Sequence, residues 1–333
     1  MKNEIFPEKR IEMLHFQMTE KCNLNCWFCG QRKDRSAGKL NDKMKLEDWM
    51  RIIGDVKQHS SGSRLPSVMI WGGEAELSAS FVPVLEILGQ EGFSIGMVTN
   101  GTLLDRYKDV ILNNLDRLYL SLDGDEELHD FVRGKGVFQK AKENIKLLEK
   151  RIPLVIMTVL TDDVVEHLEE VLESFVPFEA ELVILQDMIV MEKEEAEEYY
   201  RWSDLEFGKE AKGIFNWVGE KGCTNRRIAR SRLVQEKLNA FGTFPFEISY
   251  LPHIEKGGSY CLSPFRHVHI GASGEVSFCT DFMDITIGDV HEKSIYEMFE
   301  GSEAEKWRKE IVKGNCLTCR HCSWRYKKDF YNL

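Results

Sequence analysis

Short apolar runs alternate with amphipathic stretches through the first 190 residues. MLHFQM at 13–18, VMIW at 68–71, SIGMVT at 94–99, RLYLSL at 117–122, LVIMTVL at 154–160 and ELVILQ at 181–186 predict six strands. Between the first two, residues 45–57 place Leu46, Trp49, Ile52, Ile53 and Val56 at helical spacing. Further helices are predicted near 78–90 and over LLDRYKDVILNNL, FQKAKENIKLLEK and VVEHLEEVLESF. Short apolar strands joined by helical crossovers predict an α/β fold with a parallel sheet buried on both faces. Six such units predict a partial (β/α)6 barrel, TIM-like but short of the closed eight.

The pattern changes after residue 190. Residues 192–240 read as mostly helical, with Gly208, Gly213, Gly219 and Gly222 as expected breaks. After Pro252, HVHIG at 267–271 and EVSFC at 275–279 flank Ala272, Ser273 and Gly274, which predicts a β-hairpin. SIYEMFEGSEAEKWRKEIV predicts a helix. The expected organisation is a core over 1–190, a helical bridge over 191–250, and a small C-terminal α+β module over 251–333. There is no internal repeat.

Composition narrows the classes. With 333 residues and 43% hydrophobic content, the chain can bury a large core. No apolar run reaches the ~18 residues of a membrane span. The first residues lack the apolar stretch of a secretory signal. A cytoplasmic protein is the expectation. The net charge of −11 argues against general nucleic-acid binding. Charge is uneven: EKEEAEE at 192–198 is acidic, and KGCTNRRIARSR at 221–232 is basic. These read as solvated helix faces, or as two walls around a peptide or anionic substrate. Nine cysteines in a reducing compartment point to metal or redox chemistry rather than disulfides.

KCNLNCWFCGQ at 21–31 spaces Cys22, Cys26 and Cys29 as C-x3-C-x2-C, just after the first strand. Zinc sites usually complete four ligands from C-x2-C pairs. Three thiolates suit a [4Fe–4S] cluster with one iron left without a protein ligand. This triplet resembles the signature of the radical S-adenosylmethionine (SAM) superfamily, including an aromatic, Phe28, before the third cysteine. The resemblance implies that the open iron chelates SAM, and that one electron cleaves SAM to methionine and a 5′-deoxyadenosyl radical. WGGEAEL at 71–77 is similar to the family's GGE motif. It implies Gly72 and Gly73 as a close backbone approach to the methionine end and Glu74 as a partner of the ammonium, although Ala75 stands where proline is common. VTNGTLL, with Thr99 and Asn100, resembles a strand end beside SAM. LSLDGDEELHDFVRGKG resembles the ribose side, with Ser121 and Asp123 as hydrogen-bonding groups. Met157 to Val159 fall where the family packs adenine. All fit the rule that parallel α/β sheets bind ligands at the carboxyl ends of their strands.

Five cysteines come late: Cys261 and Cys279 around the hairpin, then Cys316, Cys319 and Cys322 as C-x2-C-x2-C. With IGDVHEKSIYEMF between the groups, they resemble the SPASM and twitch extensions of radical SAM enzymes. Five thiols imply one auxiliary [4Fe–4S] cluster with one thiol of the late trio spare. A structural zinc knuckle shares such spacings.

Cys223 stands alone, after Gly222 in the basic stretch. A lone cysteine is commonly a small hydrophobe. Lys221, Arg226 and Arg227 would depress its pKa if close in space. The chain resembles a radical SAM peptide epimerase acting on a ribosomally made precursor peptide. That resemblance implies L-to-D inversion, with Cys223 returning a hydrogen atom and a low-potential donor such as flavodoxin or ferredoxin supplying electrons. With the first strand near residue 13, no N-terminal peptide clamp is expected. Peptide is therefore expected at the barrel mouth or the 190–250 helices, or added to a strand edge. The alternatives are a peptide dehydrogenase or cross-linking enzyme of the same kind, and a non-catalytic iron–sulfur redox sensor.

Overall fold

The computed structural model describes residues 8–60, 64–251, 261–316, 319 and 322. Pro252, the expected edge of the C-terminal module, lies outside the described residues. The six expected strands form as β1 (Met13–Gln17), β2 (Ser67–Trp71), β3 (Ile95–Thr99), β4 (Arg117–Ser121), β5 (Leu154–Leu160) and β6 (Leu182–Asp187). They lie side by side in chain order, each parallel to the next. The crossover helices pack an apolar face on this sheet. In Leu46–His59 the buried residues are Trp49, Ile52, Ile53 and Val56, and Leu46 is half-buried at its start.

Four more strands lengthen the sheet: β7 (Glu247–Leu251), β8 (His267–Ile270), β9 (Glu275–Ser277) and β10 (Thr286–Asp289). β7 adds parallel to β6, at the end of the segment expected to be a helical bridge. The expected hairpin is β8 and β9, turning through Gly274 at φ +95. Its first strand pairs parallel with β1, so the sheet runs β10-β9-β8-β1-β2-β3-β4-β5-β6-β7. All four residues of β8 are buried, which explains its near-continuous apolar and histidine sequence.

The β1–β8 seam carries buried imidazoles. His15 Nε2 lies 3.2 Å from His267 Nδ1, and His269 Nδ1 lies 3.1 Å from Ser277 Oγ. Burial pushes His15 down to about 4 and, with His15 nearby, His269 to about 3. Burial likewise lowers His267. All three are neutral imidazoles at neutral pH.

The expected 294–312 helix is two helices, Ile295–Glu300 and Ser302–Lys313, because Gly301 is extended at ψ 170. Of the four glycine breaks, Gly208 ends the helix Lys193–Phe207 in a left-handed conformation, and Gly222 opens the helix Cys223–Ala240 from one. No described helix is long and apolar enough to cross a membrane.

Candidate active site

The loop after β1 brings Cys22, Cys26 and Cys29 onto one cavity of about 670 Å³. Its inner wall is made of strand ends, Trp71 to Glu74 from the end of β2, Thr99 and Asn100 at β3, Ser121 at β4, Val159 at β5 and Gln186 to Ile189 at β6, and Asn216, Trp217 and the Thr280–Asp284 loop face them. Strand direction alone produces this convergence, since parallel strands end on one side of a sheet.

The GGE turn clamps the cysteine loop. Gly73 N–H donates to Thr19 C=O at 2.7 Å, and Glu74 N–H to Lys21 C=O at 2.7 Å. A Cβ on Gly72 would meet the Thr19 carbonyl oxygen, and one on Gly73 the Lys21 carbonyl. The close approach that these glycines permit is therefore to the loop bearing Cys22, as well as to the cavity.

Glu74 is buried under this turn. Its carboxyl group contacts Thr99 Oγ1 and accepts from Asn100 Nδ2 at 2.6 Å. Thr99 Oγ1 also lies 3.0 Å from Glu76 Oε1. Burial first, and the Glu76 carboxyl next, hold Glu74 well above the usual carboxylate range, and burial raises Glu76 too. The pair retains a proton where a lone glutamate would not. Asn100 Nδ2 further donates to Asn23 Oδ1 at 3.0 Å, latching β3 to the cysteine loop.

Asp123 lies behind the cavity wall. It is fully buried, with Oδ2 accepting from Arg133 Nε at 2.5 Å and Oδ1 from Val159 N–H at 2.8 Å. Arg133 is the group this pair presents to the cavity, its guanidinium 5.7 Å over the Phe28 ring. Burial opposes its charge, but Asp123, then Cys26 and Glu74, keep it protonated more firmly than usual. It can receive a carboxylate. Motif spacing does not single out Arg133, although HDFVRG contains it; only the fold brings Arg133 beside Asp123. Met157 faces a different cavity from Val159.

The thiols suit an iron–sulfur cluster in kind. Burial first, with Glu74 adding, pushes Cys22 up to about 11; burial also raises Cys26, against Arg133. Buried thiols that resist ionisation release their protons when a metal takes the thiolates. Leu24 N–H and Arg35 Nη2 point at Cys22 Sγ and Cys29 Sγ at 3.4 and 3.3 Å, contacts that stabilise sulfur-borne charge. Among the described residues no three His, Cys, Asp or Glu side chains converge on a single ion.

The late cysteines meet behind this site. Cys261, Cys279, Cys319 and Cys322 line a second, mostly apolar cavity of about 290 Å³ that reaches His15 of β1, Met69 of β2, Tyr119 of β4 and Met157 of β5. Cys316 is buried, its Sγ 3.1 Å from Cys319 Sγ. Cys316 first, then burial, Cys261 and Cys322, raise Cys319; burial, Asp281 and Cys322 raise Cys279. Thiols crowded so that each resists the others' ionisation suit a cationic metal centre. Trp71, Val98, Gln186, Thr280 and Asp281 line both cavities and form the partition between the two thiol sets.

Cys223 is the first residue of its helix and is buried. It lines a third cavity, of about 890 Å³, which shares Phe28, Cys29, Met188, Ile189, Asn216 and Trp217 with the first. Burial first, and Glu192 next, raise its pKa, outweighing Arg227. The expected depression by neighbouring cations is therefore not found, because burial disfavours the thiolate and the acidic stretch folds against the basic one. Gly222 N–H donates to Glu192 Oε1 at 3.0 Å, and Thr224 Oγ1 to Glu195 Oε2 at 2.7 Å. Behind them Asp187 accepts from Ser231 Oγ at 2.5 Å and Tyr250 OH at 3.1 Å, tying this helix to β6 and β7.

Residues 16–175 match the radical SAM superfamily, so the core is a radical SAM domain. Residues 261–323 match the SPASM iron–sulfur cluster-binding domain, so the chain joins a radical SAM domain to a SPASM domain, which supports SAM and iron–sulfur clusters as cofactors. A GTP 3′,8-cyclase of Clostridium perfringens is 30% identical over 161 residues, 46% of this chain and 48% of the cyclase. The chain spans about half the length of that curated relative. An AdoMet-dependent heme synthase of Methanosarcina barkeri is 24% identical over 93% of this chain and 88% of its own. Among solved structures, Streptococcus suis SuiB bound to S-adenosylmethionine superposes with a TM-score of 0.64 at 14% identity, covering 92% of this chain and 68% of SuiB. anSMEcpe with bound AdoMet gives 0.61 at 17% identity over 93% and 88%. At such identities these two likenesses concern the fold alone.

Proposed function

We propose that this enzyme inverts L residues to D in a ribosomally made peptide. The observation that carries the reading is the buried Cys223 thiol, on a cavity that shares a wall with the cavity of Cys22, Cys26 and Cys29. Inversion needs one hydrogen taken from a face of the α-carbon and another returned to the opposite face. Bound SAM and its cluster, held by Cys22, Cys26 and Cys29, supply the hydrogen abstraction. Arg133, Ser121 and the Glu74–Thr99 pair orient SAM. Cys223 donates a hydrogen atom to the α-carbon radical; its raised pKa keeps the S–H bond that this step breaks. The thiyl left behind regains one electron from a low-potential donor such as flavodoxin or ferredoxin and one proton from solvent; the late cysteines would hold one auxiliary [4Fe–4S] cluster, whose chemistry suits passing that electron on.

The test is turnover in D2O. Each inverted centre gains one deuteron, and Cys223→Ala stops D-residue formation while 5′-deoxyadenosine still appears. Product of unchanged mass in D2O, or wild-type inversion by Cys223→Ala, would sink the proposal. Loss of two hydrogens would instead identify a dehydrogenase or cross-linking enzyme. A second reading, a heme-forming substrate, draws on the Methanosarcina relative's alignment over 93% of this chain. It predicts SAM cleavage stimulated by iron porphyrins and indifferent to peptides.

A further inference from the structure

The third cavity is richer in arginine than its thiol requires. Cys223, Arg226, Arg227 and Arg230 recur at i, i+3, i+4 and i+7 and so share one face of their helix. That face lines the cavity, joined by Arg32. The acidic side chains lining it are Asp162 and Glu220, while Glu195 and Asp187 act on Arg227 from behind the wall. Asp162 lies 2.9 Å from Arg230 Nη1 but its side chain is 79% exposed, and Glu220, 3.7 Å from Arg226 Nη2, is 92% exposed. Neither closes the cavity. Arg227 is buried and gives Nη1 to the Val190 carbonyl. The Arg230 side chain is only 8% exposed, and its buried Nε has no hydrogen-bond partner among the described residues. That Nε is closed to the cavity, so an anion entering there meets the outer edge of the guanidinium, beside the largely exposed Asp162, and adds a partner to a buried charge. Trp27, Trp217, Ile189 and Val218 line the same space and suit apolar neighbours of such an anion.

We propose that this cavity is the substrate's anion subsite: Arg230, with Arg226 at the rim, receives a carboxylate of an acidic residue in the peptide. The inference rests on the peptide reading above. It also fixes a distance. Seven residues of helix separate Cys223 from Arg230, a rise of ~10 Å. An extended peptide covers that in about three residues. The acidic residue therefore lies within about three positions of the residue that faces Cys223.

The test is a binding selection on the full chain, reconstituted anaerobically and saturated with SAM. It is mixed with a randomised library of acetylated, amidated hexapeptides, and retained peptides are identified by mass spectrometry after gel filtration. Asp- and Glu-containing peptides should be enriched at least about fivefold over their Asn and Gln counterparts. Arg230→Gln should remove most of that preference and Arg230→Lys part of it. Arg226→Gln, at an exposed position, should weaken it too and serves where Arg230→Gln does not fold. Equal retention of acidic and amide peptides, or a preference unchanged in both Gln variants, overturns the proposal. So does displacement of bound peptide by GTP at concentrations where free glutamate and inorganic phosphate do nothing, which would assign the cavity to a nucleotide. The selection reads no turnover. Acidic enrichment without deuterium uptake in any peptide leaves the anion subsite standing and sinks the epimerase reading; deuterium uptake without acidic preference does the reverse.

Discussion

At the scale of single residues, Gly73 carries a constraint that no side chain satisfies. A methyl group there would press on the Lys21 carbonyl at the root of the cysteine loop. Gly73→Ala should therefore lower iron incorporation by the complement of one cluster, measured by iron analysis, while the late-cysteine site still fills. Asp123 offers a second case. Removing it leaves the Arg133 charge with only the cavity to solvate it, which costs about 2–3 kcal/mol. Asp123→Ala should lose that much in denaturant unfolding and Asp123→Asn less. The cysteine triplet, the GGE turn and Ser121 were legible because motif spacing constrains them locally. The Asp123–Arg133 pair was not. Ten positions separate the two, and only the return of the Glu126–Arg133 helix over Phe28 joins them. The raised pKa of Cys223 was hidden for the same reason, since its burial and the approach of Glu192 both come from the fold.

At the scale of elements, the helix Cys223–Ala240 begins from a left-handed glycine, Gly222 at φ +81. An L side chain there costs about 1–2 kcal/mol. Gly222→Ala should lower stability by that amount and fray the first turn. Cys223 would then react several-fold faster with iodoacetamide, which a thiol-labelling time course checks. The six core strands and their helices were readable because each buries its own apolar set at period 2 or 3.6. β7 was not, because EISYL is short and half polar and becomes a strand through its pairing with β6. The hairpin was readable as a hairpin, but its neighbour was not. Nothing local in HVHI says that it lies beside Met13 to Phe16.

At the scale of the whole molecule, acid should act first on the β1–β8 seam. An unfolded histidine titrates near 6.5, whereas His15 titrates at about 4 and His269 at about 3 in the fold. Both pKa values are depressed, so the unfolded chain binds more protons between those limits. Stability is fully present above pH ~6.5 and falls as pH drops toward 4. Each of these histidines removes ~1.4 kcal/mol for every pH step of one below that point, until it protonates in the fold as well. Thermal melting followed by circular dichroism should show Tm nearly level from pH 8 to 7 and falling steeply from 6.5 to 4. His269→Gln should flatten part of that slope.

That seam has a mechanical consequence. β1 runs straight into the loop of Cys22, and β8 and β9 lead to Cys279, so one hydrogen-bonded ladder joins the cysteine triplet to one of the late sulfurs. On the function proposed above, backbone spacing would fix the gap an electron crosses between them, and a peptide bound along the wall of Trp217 would leave that gap unchanged.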